Sequence, residues 1–141
     1  MLKQQFLDIK DGISKSDRNK IANSLAGLMA DTYVVYLKTH NFHWNVTGPM
    51  FSTLHLLFET QYNELFLAVD LIAERIRALG FIAPGTYKEL DKLTKIPEHT
   101  GDVEAMQMIK YLISAHETLI KNARATLLIA EKANDQVSVD F

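Results

Sequence analysis

The sequence predicts an all-α protein, a single domain built as a four-helix bundle. The 141 residues suffice for one domain with a hydrophobic core and are too few for two. Hydrophobic residues make up 48% of the chain and recur at helical spacing, while charged residues make up 23%. Only six Gly and three Pro interrupt this pattern, so long helices are expected.

The first helix has clear boundaries in the sequence. It is predicted to begin near Ser16 or Asp17, because either side chain can cap a helix. It is predicted to end at residues 46–49. Gly48 suits the left-handed conformation that follows a helix, and Pro49 cannot continue one.

The second helix is expected to begin at residues 50–52 and to reach Leu79, with Gly80 ending it. Two stripes run along it, about 100° apart. The first is an apolar bundle seam made of Phe51, Leu54, Phe58, Leu65, Val69, Ile72, Ile76 and Leu79. The second, called the mixed stripe, consists of His55, Glu59, Tyr62, Phe66, Asp70, Glu74 and Arg77. Aromatic rings among acids are unusual on a solvated face, so the mixed stripe is predicted to be an interface.

Two further helices and a short one are expected in the rest of the chain. The connector after helix two is rich in turn residues and contains a short helix at residues 86–93. A third long helix is predicted from the cap Asp102 to about Lys132 and is broken at residues 134–135. Residues 136–141 read as the opening turns of a fourth helix, which leaves the bundle incomplete.

Composition excludes several classes of function. The chain has no Cys, so a metal must be held by nitrogen and oxygen ligands, which favours iron or manganese over structural zinc. The N-terminus lacks the apolar core of a secretory signal, and the apolar run at residues 65–73 is too short to span a membrane. A cytoplasmic protein is expected. Residues 1–20 carry five Lys or Arg against three Asp, which is weak support for DNA binding.

Four residues of the mixed stripe form two pairs at four-residue spacing. His55 with Glu59, and Asp70 with Glu74, can each grip one metal ion, because residues i and i+4 share a helix face. We call them the first and the second clamp. From Glu59 to Asp70 is 11 residues, a rise of about 16 Å along the helix. One metal ion therefore cannot touch both clamps of a single chain.

Three interpretations of this spacing are open: two unrelated half-sites, ordinary surface charge, or a site completed by another chain. A single His/Glu pair at this spacing is usually a solvated contact. If two copies of helix two pack antiparallel about a two-fold axis near Glu64 or Leu65, the first clamp of each chain faces the second clamp of the other. His43 would then join from the chain that supplies His55. Two histidines and three carboxylates suit Fe(II) or Mn(II), with zinc as a competing occupant.

Other candidate side chains have simpler interpretations. His40 lies three residues before His43 and is expected to support the site without binding metal. His99 and His116 have no ligand partners at suitable spacing, so no metal role is predicted for them. Trp44 is expected to fill core space, although an aromatic ring beside a redox metal can also shield it.

Residues 38–80, KTHNFHWNVTGPMFSTLHLLFETQYNELFLAVDLIAERIRALG, resemble the Dps family, the miniferritins named for protecting DNA in starved cells. Three blocks carry the resemblance: H-W-N-x-x-G at 43–48, L-H-x-x-F-E at 54–59 and D-x-x-A-E-R at 70–75. The resemblance implies a ferritin-like bundle and a ferroxidase centre with catalytic metal ligands His43, His55 and Glu59 from one subunit and Asp70 and Glu74 from its two-fold mate. It also implies a hollow dodecamer that oxidises Fe(II) with hydrogen peroxide and stores ferric oxide.

The chain departs from the family pattern at two points. Family members often have Asp at the position of Glu59, which keeps the ligand type. They also continue into a full fourth helix, so residues 1–141 are expected to form one ferritin-like domain that is incomplete at its C-terminus. If acids of the early fourth helix line an iron-entry pore, Asp140 is the candidate. The alternative function is a non-enzymatic protein that binds DNA and compacts the nucleoid.

Overall fold

A computed structural model describes residues 1–3 and 9–141 of the chain. Its elements are α1 Lys15–Asn45, α2 Phe51–Ala78, α3 Tyr87–Leu93, α4 Ala105–Lys132 and α5 Gln136–Val139. The all-α prediction is confirmed, including the short helix α3 in the connector between α2 and α4. None of the helices in the described ranges has both the length and the hydropathy needed to cross a membrane. Part of the basic region predicted at residues 1–20 lies outside the described residues.

The helix starts differ from the predicted ones by two or three residues. Ser14, and not Ser16 or Asp17, caps α1: its side chain accepts a hydrogen bond from the backbone N–H of Asp17 at 3.1 Å. Asp17 therefore lies in the first turn, where its negative charge interacts favourably with the helix dipole. Likewise α4 follows Glu104 instead of Asp102. For α1, the difference arises because several capping residues stand close together in the sequence, whereas Glu104 makes no capping hydrogen bond with its side chain.

Helix α1 is the centre of the bundle, with α2, α3 and α4 packed against it. One cluster of the core joins Ile21 and Leu25 of α1 to Ile72 and Ile76 of α2. At the other end, Phe42 packs with residues of α2 and α4: Leu54, Phe58, Met108 and Leu112. The bundle seam predicted on α2 is thus largely buried. Burial of these side chains contributes roughly 1.5–3 kcal/mol each to folding.

Phe51 was predicted to belong to the buried seam, and this prediction is wrong, because its side chain is 44% exposed. It lies in the first turn of α2, before the helix has fully entered the bundle. Its ring stacks on His55 at 5.0 Å between centroids. Phe51 therefore belongs to the surroundings of the candidate metal ligands and not to the core.

Two apolar hollows are lined by residues of α2 and α4. One is lined by Leu57, Gln61, Ile113, His116 and Ile120, and the other by Ala68, Leu71, Leu127, Val139 and Phe141. Within the first, Gln61 Oε1 and His116 Nε2 are buried without a hydrogen-bond partner in the described part of the chain. α5 packs against α4 beside the second of these hollows.

Two buried carboxylates join the helices at defined points. Asp31 of α1 accepts hydrogen bonds from Thr94 Oγ1 at 2.9 Å, from the backbone N–H of Lys95 at 2.6 Å, and from Asn122 of α4. Asp135 accepts two hydrogen bonds from the guanidinium of Arg75, at 2.8 and 2.9 Å. The second contact holds the end of α2 beside the corner between α4 and α5.

Candidate metal centre

His43 and His55 come together through the turn between α1 and α2. The Nδ1 of His43 lies 2.8 Å from the backbone oxygen of His55, and the Nδ1 of His55 lies 2.9 Å from the backbone oxygen of His43. The two rings stack with centroids 3.8 Å apart. A carbonyl oxygen can only accept, so each Nδ1 carries the proton and donates it. Each Nε2 consequently keeps its lone pair available for a metal ion.

The local sequence explains this reciprocal pair. His43 is in the last turn of α1, which ends at Asn45, and His55 is in the second turn of α2. Gly48, with φ of 96°, allows the short reversal between the two helices. The last turn of one helix and the first turns of the next have backbone carbonyls close to both rings. These carbonyls fix the orientation of the imidazoles before any metal ion binds.

Aromatic side chains surround the histidine pair on one side. The ring of Tyr62 meets His43 edge-on at 5.1 Å, and His40 stacks on Tyr62 at 4.2 Å. Trp44 lies 4.0 Å from His40 but is 60% exposed, so the prediction that it fills core space is wrong. In the described part of the chain, Trp44 near the end of α1 stays largely exposed. His40 contacts the rings around the site, in agreement with a supporting role.

The carboxylates of the two clamps are placed differently. Glu59 is half-buried one turn after His55, while Asp70 and Glu74 are exposed farther along α2. Among the residues that the structure describes, no three His, Asp or Glu side chains are gathered closely enough to hold a metal ion. A single chain therefore brings His43 and His55 together but gathers no cluster of three ligands in its described part.

The donor types present fit iron. Two neutral imidazoles with free Nε2 atoms and three carboxylates can hold Fe(II), and the carboxylate charge can compensate the additional charge of Fe(III). The hydrogen bond from each Nδ1–H to a carbonyl fixes the direction in which the opposite ring nitrogen points. The donor types are therefore those that an iron site requires.

The two remaining histidines lie elsewhere. His99 stacks on Tyr111 with centroids 3.5 Å apart, and its pKa is lowered by burial and by the charge of Lys38. His116 faces the hollow between α2 and α4, and burial lowers its pKa too. Neither lies beside the ligand pair.

Sequence reasoning did not identify the contributions of Phe51 and of the backbone carbonyls to the site. The four-residue spacing between Phe51 and His55 was an available signal for the stacking of their rings. No sequence signal indicates which carbonyls the two imidazoles will meet, since this depends on how α1 and α2 pack.

Comparisons with known proteins find relatives that share the fold. The family model for the ferritin-like domain matches residues 22–141. The DNA protection during starvation protein 2 of Bacillus anthracis is 36% identical over 113 residues, which are 80% of this chain and 77% of that protein. Among solved structures, Dps from Staphylococcus aureus is 37% identical with a TM-score of 0.83, over 86% of this chain and 82% of that one.

The Dps protein from Vibrio cholerae O1 is similar over a longer span. It has a TM-score of 0.90 at 28% identity, and the match covers 98% of this chain and 87% of that chain. Its description places it in a broad superfamily of ferritin-like diiron-carboxylate proteins. The described helices therefore follow the architecture of that protein almost throughout.

Proposed function

Since the chain belongs to the Dps family of ferritin-like proteins, we propose that it oxidises Fe(II) with hydrogen peroxide at sites shared between two chains and stores the ferric product in a hollow oligomer. The observation that carries this proposal is the reciprocal pair of His43 and His55. Its two Nδ1–H groups are already bonded to carbonyls at 2.8 and 2.9 Å, which leaves two nitrogen ligands in place. The pair supplies only part of a metal site, so the remaining ligands must be carboxylates.

A two-fold axis supplies the missing carboxylates. If two α2 helices pack antiparallel with the axis between Glu64 and Leu65, Glu59 faces the partner's Asp70 and His55 faces the partner's Glu74. Every contact occurs twice, as an isologous interface requires. Phe66 and Leu67 lie beside the axis and are 58% and 62% exposed in the single chain, which gives the interface an apolar centre.

Each shared site would then contain His43, His55 and Glu59 from one chain and Asp70 and Glu74 from the other. In the proposed reaction, two Fe(II) ions each give one electron to one molecule of hydrogen peroxide. The peroxide takes up two protons and leaves as two water molecules, so no hydroxyl radical is released. Iron is the substrate, and the carboxylates stabilise the Fe(III) that forms.

Iron is preferred over the other metals that the ligands allow. Imidazole and carboxylate donors also bind zinc and manganese, so both can compete for the same atoms. The description of the Vibrio cholerae relative as a diiron-carboxylate protein supports iron. We therefore expect zinc to inhibit Fe(II) oxidation by occupying the ligands without redox chemistry.

The test is Fe(II) oxidation by substoichiometric peroxide. We expect His55→Ala combined with Asp70→Ala to lower the rate about 100-fold or more, because removing even an outer-shell partner of a metal ligand commonly costs 10–100-fold. His99→Ala is the matched control, since this histidine stacks on Tyr111 away from the proposed ligands. An unchanged rate in the double variant would refute the proposed site.

The proposed oligomer is an antiparallel dimer that assembles into a cytoplasmic dodecamer. The single domain over residues 1–141 and a pore role for Asp140 belong to the same proposal. Size-exclusion chromatography with light scattering measures the assembly directly. A monomer at micromolar concentration would contradict the shared site, whereas a dimer without a cage would contradict only the storage function.

DNA binding is the second candidate, because the Bacillus anthracis relative is named for DNA protection. The described part of the N-terminal region offers limited support for it. Arg18 is buried and paired with Asp11 at 3.1 Å, and Lys20 is paired with Asp17 at 3.1 Å. A gel-shift assay at two salt concentrations tests this candidate. Binding to phosphates would weaken steeply with added salt, and no shift at low salt would exclude it.

A further inference from the structure

Lys38 is a buried cation in the C-terminal half of α1, where it is only 7% exposed. Its Nζ donates a hydrogen bond to the carbonyl of Pro97 at 2.6 Å and lies 5.9 Å from the centroid of the Tyr111 ring. Among the residues that the structure describes, Lys38 forms no ion pair. Lysine is almost never buried without a negative partner, because taking the ammonium group out of water is costly. The positive charge of Lys38 therefore lacks a bound counter-charge.

Lys38 lines a hollow of about 180 Å³ between α1 and the connector that follows α3. The ammonium group has three N–H donors, of which the carbonyl of Pro97 takes one. Asn41 lines the same hollow, and its Oδ1 already accepts a hydrogen bond from the side chain of Asn45 at 2.7 Å. The NH2 group of Asn41 is thus left to donate. The other lining residues are Val34, Leu37, Glu98, His99 and Thr100.

The charges around the hollow leave it electropositive. Burial lowers the pKa of Lys38, and the carboxylate of Glu98 opposes this shift only in part. The pKa of His99 is lowered by burial and then by the charge of Lys38, so the field of the ammonium group reaches across the hollow. Glu98 is itself exposed, and solvent screens much of its charge. The further acids of the connector, Asp102 and Glu104, line an adjoining hollow.

We propose that this hollow binds a small free oxyanion of the phosphate or sulfate class, with Lys38 supplying the positive charge. The amide of Asn41 and the hydroxyl of Thr100 supply further hydrogen bonds. An oxyanion presents acceptors in every direction, which matches a hollow whose remaining polar groups donate. Because Lys38 is buried, a phosphate in the backbone of DNA cannot reach it, so the hollow selects a free ion.

This site is separate from the candidate metal centre. Asn41 and His43 are two residues apart on α1, so their side chains lie on opposite sides of the helix. Iron is not needed to form the hollow, since Lys38, Asn41 and Thr100 all belong to one chain. Oxyanion binding can therefore be measured on the iron-free protein, and its failure would leave the proposed function untouched.

The experiment is equilibrium dialysis of radiolabelled inorganic phosphate against the full iron-free chain. The wild type should bind one phosphate per chain and saturate at millimolar phosphate. Lys38→Met keeps the length of the side chain and removes its charge, so it should weaken binding by at least about tenfold. Lys132→Met is the matched control, because Lys132 is exposed in the last turn of α4 and should leave the affinity unchanged.

Two further variants keep Lys38 in place and change the charge around it. Glu98→Gln removes the opposing carboxylate and should tighten phosphate binding, whereas Asn41→Asp places a carboxylate in the hollow and should abolish it. Circular dichroism checks that each variant is folded.

The site is wrong if the wild type shows no saturable binding, or if Lys38→Met binds phosphate as tightly as the wild type. It is also wrong if Glu98→Gln weakens binding. Displacement of the phosphate by a short DNA duplex would overturn the assignment to a free ion.

Discussion

Two inactive variants of this chain should restore activity when they are mixed. The first carries His55→Ala and Glu59→Ala, which remove the first clamp, and the second carries Asp70→Ala and Glu74→Ala, which remove the second. In a dimer of either variant with itself, each shared site keeps only part of its ligands. Neither variant alone should therefore oxidise Fe(II) faster than the protein-free background.

The two-fold geometry sets the size of the recovery. After unfolding and joint refolding in equal amounts, half of the dimers combine one chain of each kind. In such a dimer one site has both clamps intact and the other site has neither. We therefore expect about one quarter of the wild-type rate, whatever larger assembly the dimers form.

The assay is Fe(II) oxidation with limiting peroxide, measured on separately refolded and jointly refolded samples. Samples refolded separately and then combined are the control, since chains that have already paired exchange slowly. Wild-type protein taken through the same unfolding step calibrates the yield. If joint refolding gives no recovery although light scattering shows mixed dimers, the clamps do not meet across a two-fold axis. Substantial activity in either variant alone would refute the shared site as well.

Three further predictions concern the contacts that hold the bundle. Burial alone would raise the pKa of Asp135, but hydrogen bonds from Ser138 and Arg75 hold it below its ordinary value. The ionised carboxylate of Asp135 therefore stabilises the fold above about pH 4, and this stabilisation is lost as the pH falls through the lowered pKa. In urea titrations, Asp135→Asn should lower the free energy of unfolding by about 3 kcal/mol at pH 7 and should flatten this acid dependence. Asp31→Ala leaves three donors unpaired and should destabilise by about 3 kcal/mol in the same assay, and Asp31→Asn should recover part of that loss. Thr86→Ala removes the capping box of α3 and should lower the free energy of unfolding by about 1 kcal/mol, whereas Thr86→Ser should stay close to wild type. If Thr86→Ala lowers the free energy of unfolding by less than the error of the measurement, α3 does not depend on its cap.

The sequence was most informative where helix periodicity decides the outcome. The four-residue spacing of each clamp and the 11 residues between them follow from the chain alone, because a helix converts spacing into faces and distances. The same holds for the ends of α1 and α2, where Gly48 and Gly80 adopt φ of 96° and 91°. Prediction was weaker at helix starts, where Ser14 is preferred over Ser16 although both can cap.

The sequence predicts the burial of a side chain only where the elements that pack on both sides of it are known. Phe51 fits the periodicity of the buried seam, yet it lies in the first turn of α2 and stacks on His55 instead. Trp44 is large and apolar, yet it contacts His40 and stays 60% exposed near the end of α1. Periodicity assigns each of these side chains to a face of its helix, and the length of the neighbouring helix determines whether that face is covered.

By itself, the sequence determined which side chains are candidate ligands, their arrangement as two clamps and the conclusion that one metal ion cannot reach both clamps of one chain. Only the tertiary structure decided that His43 and His55 donate their Nδ1 protons to each other's backbone carbonyls. It also decided that Tyr62 contacts both His43 and Tyr36. The physical reason is how far apart in the sequence the interacting residues lie. Spacing along one helix is a local property of the chain, whereas these contacts join α1 to α2 and exist only once the two helices have packed.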